Sequence, residues 1–318
     1  MTTRPGRACC GWSPALALWR PLVMLAFGTA QLGAAQPLLP PNHVLAGRPQ
    51  ADDFTIESLR RYTAWLEARY GDDYRNVPLA VKADFFEWLL WRYHLTAYGQ
   101  IANRVALPGQ QGPRPAPQIG SDTSTWNGAL LAGLCYQYAV TRNEQTLQRI
   151  RTLLDGLRFY TTVTGRLGCY ARCVVPQDTP LRDHEAKKFG LYRYRSPAGE
   201  TFFLLASPAK GTYNQLAFGY AALLRFAYDD LPPADQSRVR SDVTQLVTQL
   251  LRDDYHITDV NGHRTPHGDL TPIVASVGVP FNGQVAYHLV ALGRYFPRDD
   301  PVADQLIQRQ FHRLREKR

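Results

Sequence analysis

The sequence is poor in cysteine. It has five in 318 residues, with no CxxC pair and no Cys/His spacing of the zinc-binding kind. That excludes the usual structural zinc sites. It has no Walker loop, no Rossmann glycine fingerprint, no Gly-x-Ser-x-Gly elbow and no kinase signature, so the common nucleotide-binding and serine-hydrolase classes are not indicated. It has no acidic residue before Asp52. No apolar run reaches the roughly 20 residues that cross a bilayer comfortably. Basic residues outnumber acidic ones, for a net charge of +9. They are scattered, however, and form no patch of the kind that binds nucleic acid.

The acid-free N-terminus carries Arg4, Arg7 and Arg20, then the apolar stretch PLVMLAFGTAQLGAA, then small residues at Gly33-Ala34-Ala35. Residues 1–35 are read as a secretory signal, with an uncleaved membrane anchor as the alternative. A periplasmic or secreted protein is expected, with no stable membrane span once the signal is removed. Residues 36–53 are a Pro-rich lead-in. Of the cysteines, Cys135, Cys169 and Cys173 would stay in the mature chain. Export permits disulfides, and Cys169 with Cys173 could pair if the backbone turned tightly between them.

Helical periodicity starts near Phe54. Ile56, Leu59, Tyr62 or Thr63, and Leu66 recur at helical spacing, and Gly71 offers a stop. Residues 78–102 read as a second helix, followed by a Pro/Gly loop over 106–120. A repeat then emerges. WNGALLAGLCYQYAVT is rich in small residues, Arg142-Asn143 turns, and EQTLQRIRTLLDGLRFYTTVTG is polar-faced. YNQLAFGYAALLRFAYDD, Pro232-Pro233 and ADQSRVRSDVTQLVTQLLRDD repeat that order, as do NGQVAYHLVALGRYF, PRDDP and VADQLIQRQFHRLREKR. Each unit reads as an αα-hairpin. Gly128, Gly133, Gly219 and Gly283 would let the first helices crowd together, while the second helices face water.

Two long excursions, 165–212 and 256–279, separate the hairpins. Long ordered loops are usually functional. Phe189–Leu205 alternates like a β-hairpin around Pro197-Ala198-Gly199, with Tyr192 and Tyr194 on one face. Asn261-Gly262 marks a tight hairpin turn. Both excursions precede a small-rich helix, and so does the turn at Asp122. The three loops are therefore expected to meet at one end.

This grammar over 54–318, with the segments DTSTWNGALLAGLCYQYAVT, GTYNQLAFGYAALLRFAYD and ITDVNGHRTPHGDLTP, resembles the six-hairpin glycosidase-like superfamily. Its members are (α/α) toroids among sugar hydrolases, epimerases and polysaccharide lyases. The resemblance implies a mainly α fold, a single (α/α) toroid domain with short β-hairpins in the rim loops. A full six-hairpin ring is not evident, so an incomplete toroid or a truncated chain is expected. The resemblance also implies a carbohydrate partner, with an anionic glycan as one class.

Sugar cleavage needs one protonated and one ionised carboxyl across the scissile bond. Asp122, Asp269 and His267 are the candidate catalytic residues. Asp183 and Glu185 are further rim acids. Trp126, Arg172, Tyr213, Asn214, Gln215, Asp259 and Arg264 are the candidate substrate-binding residues. Trp126 would offer a stacking platform, and Arg172 a clamp for a carboxylate or sulfate. In the sugar-processing proteins this chain resembles, a carboxylate often precedes the glutamine; here Asn214 does, and an amide binds hydroxyls but transfers no proton as an acid does. Asp259, His263, His267 and Asp269 match no standard metal spacing. No metal or cofactor is expected. The function expected is a glycoside hydrolase-like activity. A glycan-binding or structural envelope protein, or a lyase using Tyr or His, are the alternatives.

Overall fold

The computed structural model describes residues 56–318, apart from 97, 107–115, 119–121, 178–190, 206, 272–279, 297–298 and 317–318. Residues 1–35, read above as a secretory signal, the lead-in at 36–53, Asp183 and Glu185 lie outside the described residues. The described chain is mostly helical, with a few short strands.

Helices α1 (Ile56–Tyr70) and α2 (Leu79–Leu89) form the first hairpin. Gly71 ends α1 with φ of 78°, a backbone state that glycine adopts without strain. Tyr62, Trp88 and Tyr93 bury their rings together at this hairpin. The second helix stops well short of residue 102. A wide π-type turn, Leu90–His94, closes with Leu95 N–H donating to the Leu90 carbonyl at 3.0 Å. The chain then folds back so that Ala102 N–H meets the His94 carbonyl at 2.8 Å. Gly99, with φ of 71°, makes the turn by which the chain folds back. A Cβ on Gly156 of the fourth helix would lie 2.1 Å from the Gly99 carbonyl oxygen, so only two glycines permit this approach. Strands β1 (Arg104–Ala106) and β2 (Ala116–Gln118) pair antiparallel after it.

Three further hairpins follow: α3 (Thr123–Thr141) with α4 (Glu144–Thr162), α5 (Lys210–Phe226) with α6 (Pro233–Arg252), and α7 (Pro280–Tyr295) with α8 (Pro301–Glu316). Arg142 makes the first turn in the left-handed region, φ 50°, and Asn143 caps α4 by accepting from Gln145 N–H at 2.7 Å. The small-rich helices form a row, α3 against α5 and α5 against α7. Helix α8 packs on α6 and α7, while α4 and α6 touch only briefly. The polar-faced helices bury their apolar stripes as their spacing predicts: Leu147, Ile150, Leu154 and Leu157 on α4, and Val239, Val243, Leu246 and Leu250 on α6.

The α3–α5 seam is close because it is built on glycine. A Cβ on Gly128 would lie 2.6 Å from the Gln215 carbonyl oxygen, and one on Gly219 2.6 Å from that of Gly128. Gly133 does not share this role: it is exposed, and nothing lies within 4 Å of its Cβ position. Asn127, fully buried, ties the folded-back loop to α3 through the Ile101 N–H at 2.9 Å and the Gly99 carbonyl at 2.7 Å.

The excursion after α4 holds a three-stranded antiparallel sheet, β3 (Cys173–Pro176), β4 (Tyr192–Arg195) and β5 (Thr201–Leu205), in the order β3–β5–β4. The hairpin around Pro197–Gly199 is present, and β3 is an addition the alternation did not reveal. The excursion after α6 is the hairpin β6 (His256–Thr258) and β7 (Arg264–Asp269), turning at Asn261-Gly262. Among the described residues, no helix is long and apolar enough to cross a membrane. Cys135, Cys169 and Cys173 are free and buried, and burial pushes each thiol up to about 12.

Candidate binding groove on the inner helices

The first turns of the small-rich helices and the loops around them touch at one end. Thr125 on α3 and Thr212 on α5 hydrogen-bond at 3.1 Å. Thr265 on β7 donates to the Pro208 carbonyl just before α5 at 3.0 Å. Asn282 in the first turn of α7 donates to the Asp269 carbonyl at 2.9 Å. Ser124 donates to the Arg172 carbonyl at 3.0 Å, which holds the lead into β3 beside the start of α3.

The candidate acids at this end are committed to separate partners. Asp122 sits at the N-cap of α3, but its side chain makes no capping hydrogen bond. Its carboxylate accepts instead from Arg172, Nε at 2.8 Å and Nη2 at 2.6 Å. This ion pair engages both the candidate acid and the candidate anion clamp. Asp259 holds its own turn, accepting from the Asn261 and His263 N–H groups at 2.9 and 2.8 Å. Asp269 accepts from Thr271 N–H at 2.9 Å. Burial alone would raise the Asp269 carboxyl, but the Thr271 hydrogen bonds, with His256 and Arg264 nearby, outweigh it and hold the pKa below the ordinary value. Such a group is ionised near neutrality and is a poor proton donor. His267 and Arg264 are exposed on β7. Tyr213 is only 3% exposed, its hydroxyl donates to the Gly168 carbonyl at 3.2 Å, and burial raises it well above the ordinary tyrosine value. It turns inward. Among the described residues, no group of His, Cys, Asp or Glu is placed to hold a metal ion.

Asn214 and Gln215 have a different setting. They line a groove of about 600 Å³ between α5 and α7. That volume falls within the range of small-molecule sites. Ala217, Ala221 and Ala291 keep the floor low, and Phe218 and Tyr295 supply exposed aromatic faces. Arg225 and His288 add polar groups. Arg225 lies 5.6 Å from the Phe226 ring. No carboxylate lines the groove among the described residues.

Sequence reasoning found the two amides and missed Phe218, Arg225, His288 and Tyr295. A signal for two of these was present: Phe281, Gln284, His288 and Tyr295 recur at helical spacing along α7, and all four are exposed. Trp126 is also half-exposed, on α3. Compared with known proteins, this chain matches no family model, no curated protein and no solved structure.

Proposed function

We propose that this protein is an exported carbohydrate-binding protein built as an (α/α) hairpin array, taking its ligand in the groove between α5 and α7 and not cleaving it. The observation that carries the reading is the pairing of two amides, Asn214 and Gln215, with two exposed aromatic faces, Phe218 and Tyr295, at one open groove. A sugar ring has an apolar face and a hydroxyl-bearing edge. Aromatic side chains suit the first, and amides donate to and accept from the second. Cleavage is disfavoured on chemical grounds. The described groove offers no carboxyl, Asp122 is paired with Arg172, and Asp269 is held ionised. A two-carboxyl mechanism needs a protonated acid as well as an ionised partner. The acid-free, arginine-bearing first 35 residues support export.

The test is a glycan panel read for binding and for product release together. Saturable binding with no new reducing ends is expected. Asn214→Ala should weaken it about tenfold, as loss of one or two hydrogen bonds does, and Asp122→Asn should leave it unchanged. Absence of binding across the panel sinks the proposal, and product release that Asp122→Asn abolishes restores the hydrolase reading.

A further inference from the structure

Helix α3 carries no charged residue anywhere in its length. A helix with no charge on any face is normally covered on most sides. Helices α4 and α5 cover much of α3, yet one stripe stays open. Trp126 is 48% exposed, Tyr136 47% and Val140 72%, with exposed Gly133 among them. Trp126, Gly133 and Val140 are spaced seven apart, so they stand in one line along the helix. Tyr136 adjoins that line, its ring 6.2 Å from Phe218 of α5. The outer helices α4, α6 and α8 carry their charges on their open faces, as solvent-facing helices do.

We propose that this stripe docks a second copy of the chain, α3 lying antiparallel against the partner's α3 about a two-fold axis through Gly133. The stripe is self-complementary. Gly133 lies midway between Trp126 and Val140, so antiparallel pairing sets each Trp126 against the partner's Val140 and glycine against glycine. An isologous interface requires this reciprocity. Nothing within 4 Å of the Gly133 Cβ position obstructs the approach. The stripe also lacks charge, as interface cores do. Its size sets the strength. Trp126, Tyr136, Phe218 and Val140 leave on the order of 400 Å² open on each copy, taking roughly 200 Å² for a full aromatic side chain. That is about half of the ~800 Å² a standard interface takes from each partner, so the dimer is reversible. The inference does not rest on the glycan reading, although Phe218 belongs to both this surface and the groove.

Light scattering and sedimentation equilibrium on the full chain test it. The average mass should rise from monomer toward dimer with concentration. Gly133→Glu sets two carboxylates together at the axis and should raise the dissociation constant at least tenfold. The variant should melt no lower than the parent at low concentration, because the site is open and any residue but proline suits a helix interior better than glycine. Gly133→Cys should give a disulfide-linked dimer under mild oxidation. Leu79→Lys, at another exposed apolar residue, should leave association unchanged. A monomer at every concentration, a dimer that Gly133→Glu leaves intact, a folded Gly133→Cys variant that does not cross-link, or a dimer that Leu79→Lys abolishes would each overturn the proposal.

Discussion

The seam between α3 and α5 and the seam between α4 and α6 join the same two hairpins by opposite means. The first is uncharged and built on backbone contact, with Gly128 against the Gln215 carbonyl and Gly219 against that of Gly128. The second is thin and polar. Arg151 donates to Asp235 at 2.7 Å, Arg238 reaches both Asp235 and Asp155, and Arg158 lies 3.5 Å from Asp242. Contact between backbones tolerates no added atom. Ion pairs at a half-open seam tolerate change more readily but answer to pH and salt. The two seams should therefore answer to different perturbations.

Gly128→Val is the hardest test of the glycine seam. Its added carbons must displace the Gln215 backbone. We expect about 3 kcal/mol or more of lost stability in denaturant unfolding, or failure to fold. A loss under about 1 kcal/mol would show that the seam yields and that the contrast between the two is false.

The ion-pair seam is tested by acid. Burial pushes the Asp242 carboxyl up to about 6, although Arg158 and Arg238 pull it down. The folded protein therefore holds this proton more tightly than the unfolded chain, whose Asp titrates near 3.9. Above about pH 6 the group costs stability, and as pH falls toward about 4 that cost is relieved, by on the order of 2 kcal/mol. Asp242→Asn should lack this dependence. Between about pH 7 and pH 4 the difference in unfolding free energy between the two proteins should shift toward the wild type by that amount. Parallel lines would remove Asp242 as a pH-sensitive member of the seam.

The smallest effect has the opposite sign. Gly133 shares α3 with Gly128 but faces open space. Gly133→Ala should stabilise the chain at low concentration by about 0.5–1 kcal/mol, through helix propensity alone. Two glycines five residues apart would then differ in sign as well as size.

Much of this architecture was legible in the residues. The outer helices declare themselves because one face is apolar and the other charged. The turns at Gly71, Arg142-Asn143, Pro232-Pro233 and Asn261-Gly262 follow from backbone chemistry local to each. Composition could not separate the glycines, because Gly128 and Gly133 sit in the same small-rich run and differ only in what stands opposite. The fold-back after α2 was hidden for the same reason: the chain there lies where Gly99 meets Gly156, 57 positions away. The candidate site divided likewise. Asn214 and Gln215 were recognisable as amides where an acid was expected, whereas the capture of Asp122 by Arg172 and the burial of Tyr213 required the fold.

What the chain determined by itself is its series of hairpins, since helix periodicity, caps and turns act over a few residues. Tertiary structure alone decided which side chains line the open groove, which are paired with one another, and which stripe of an uncharged helix stays open to water. Those outcomes depend on partners tens of residues distant, whose separation is set by packing and not by spacing along the backbone.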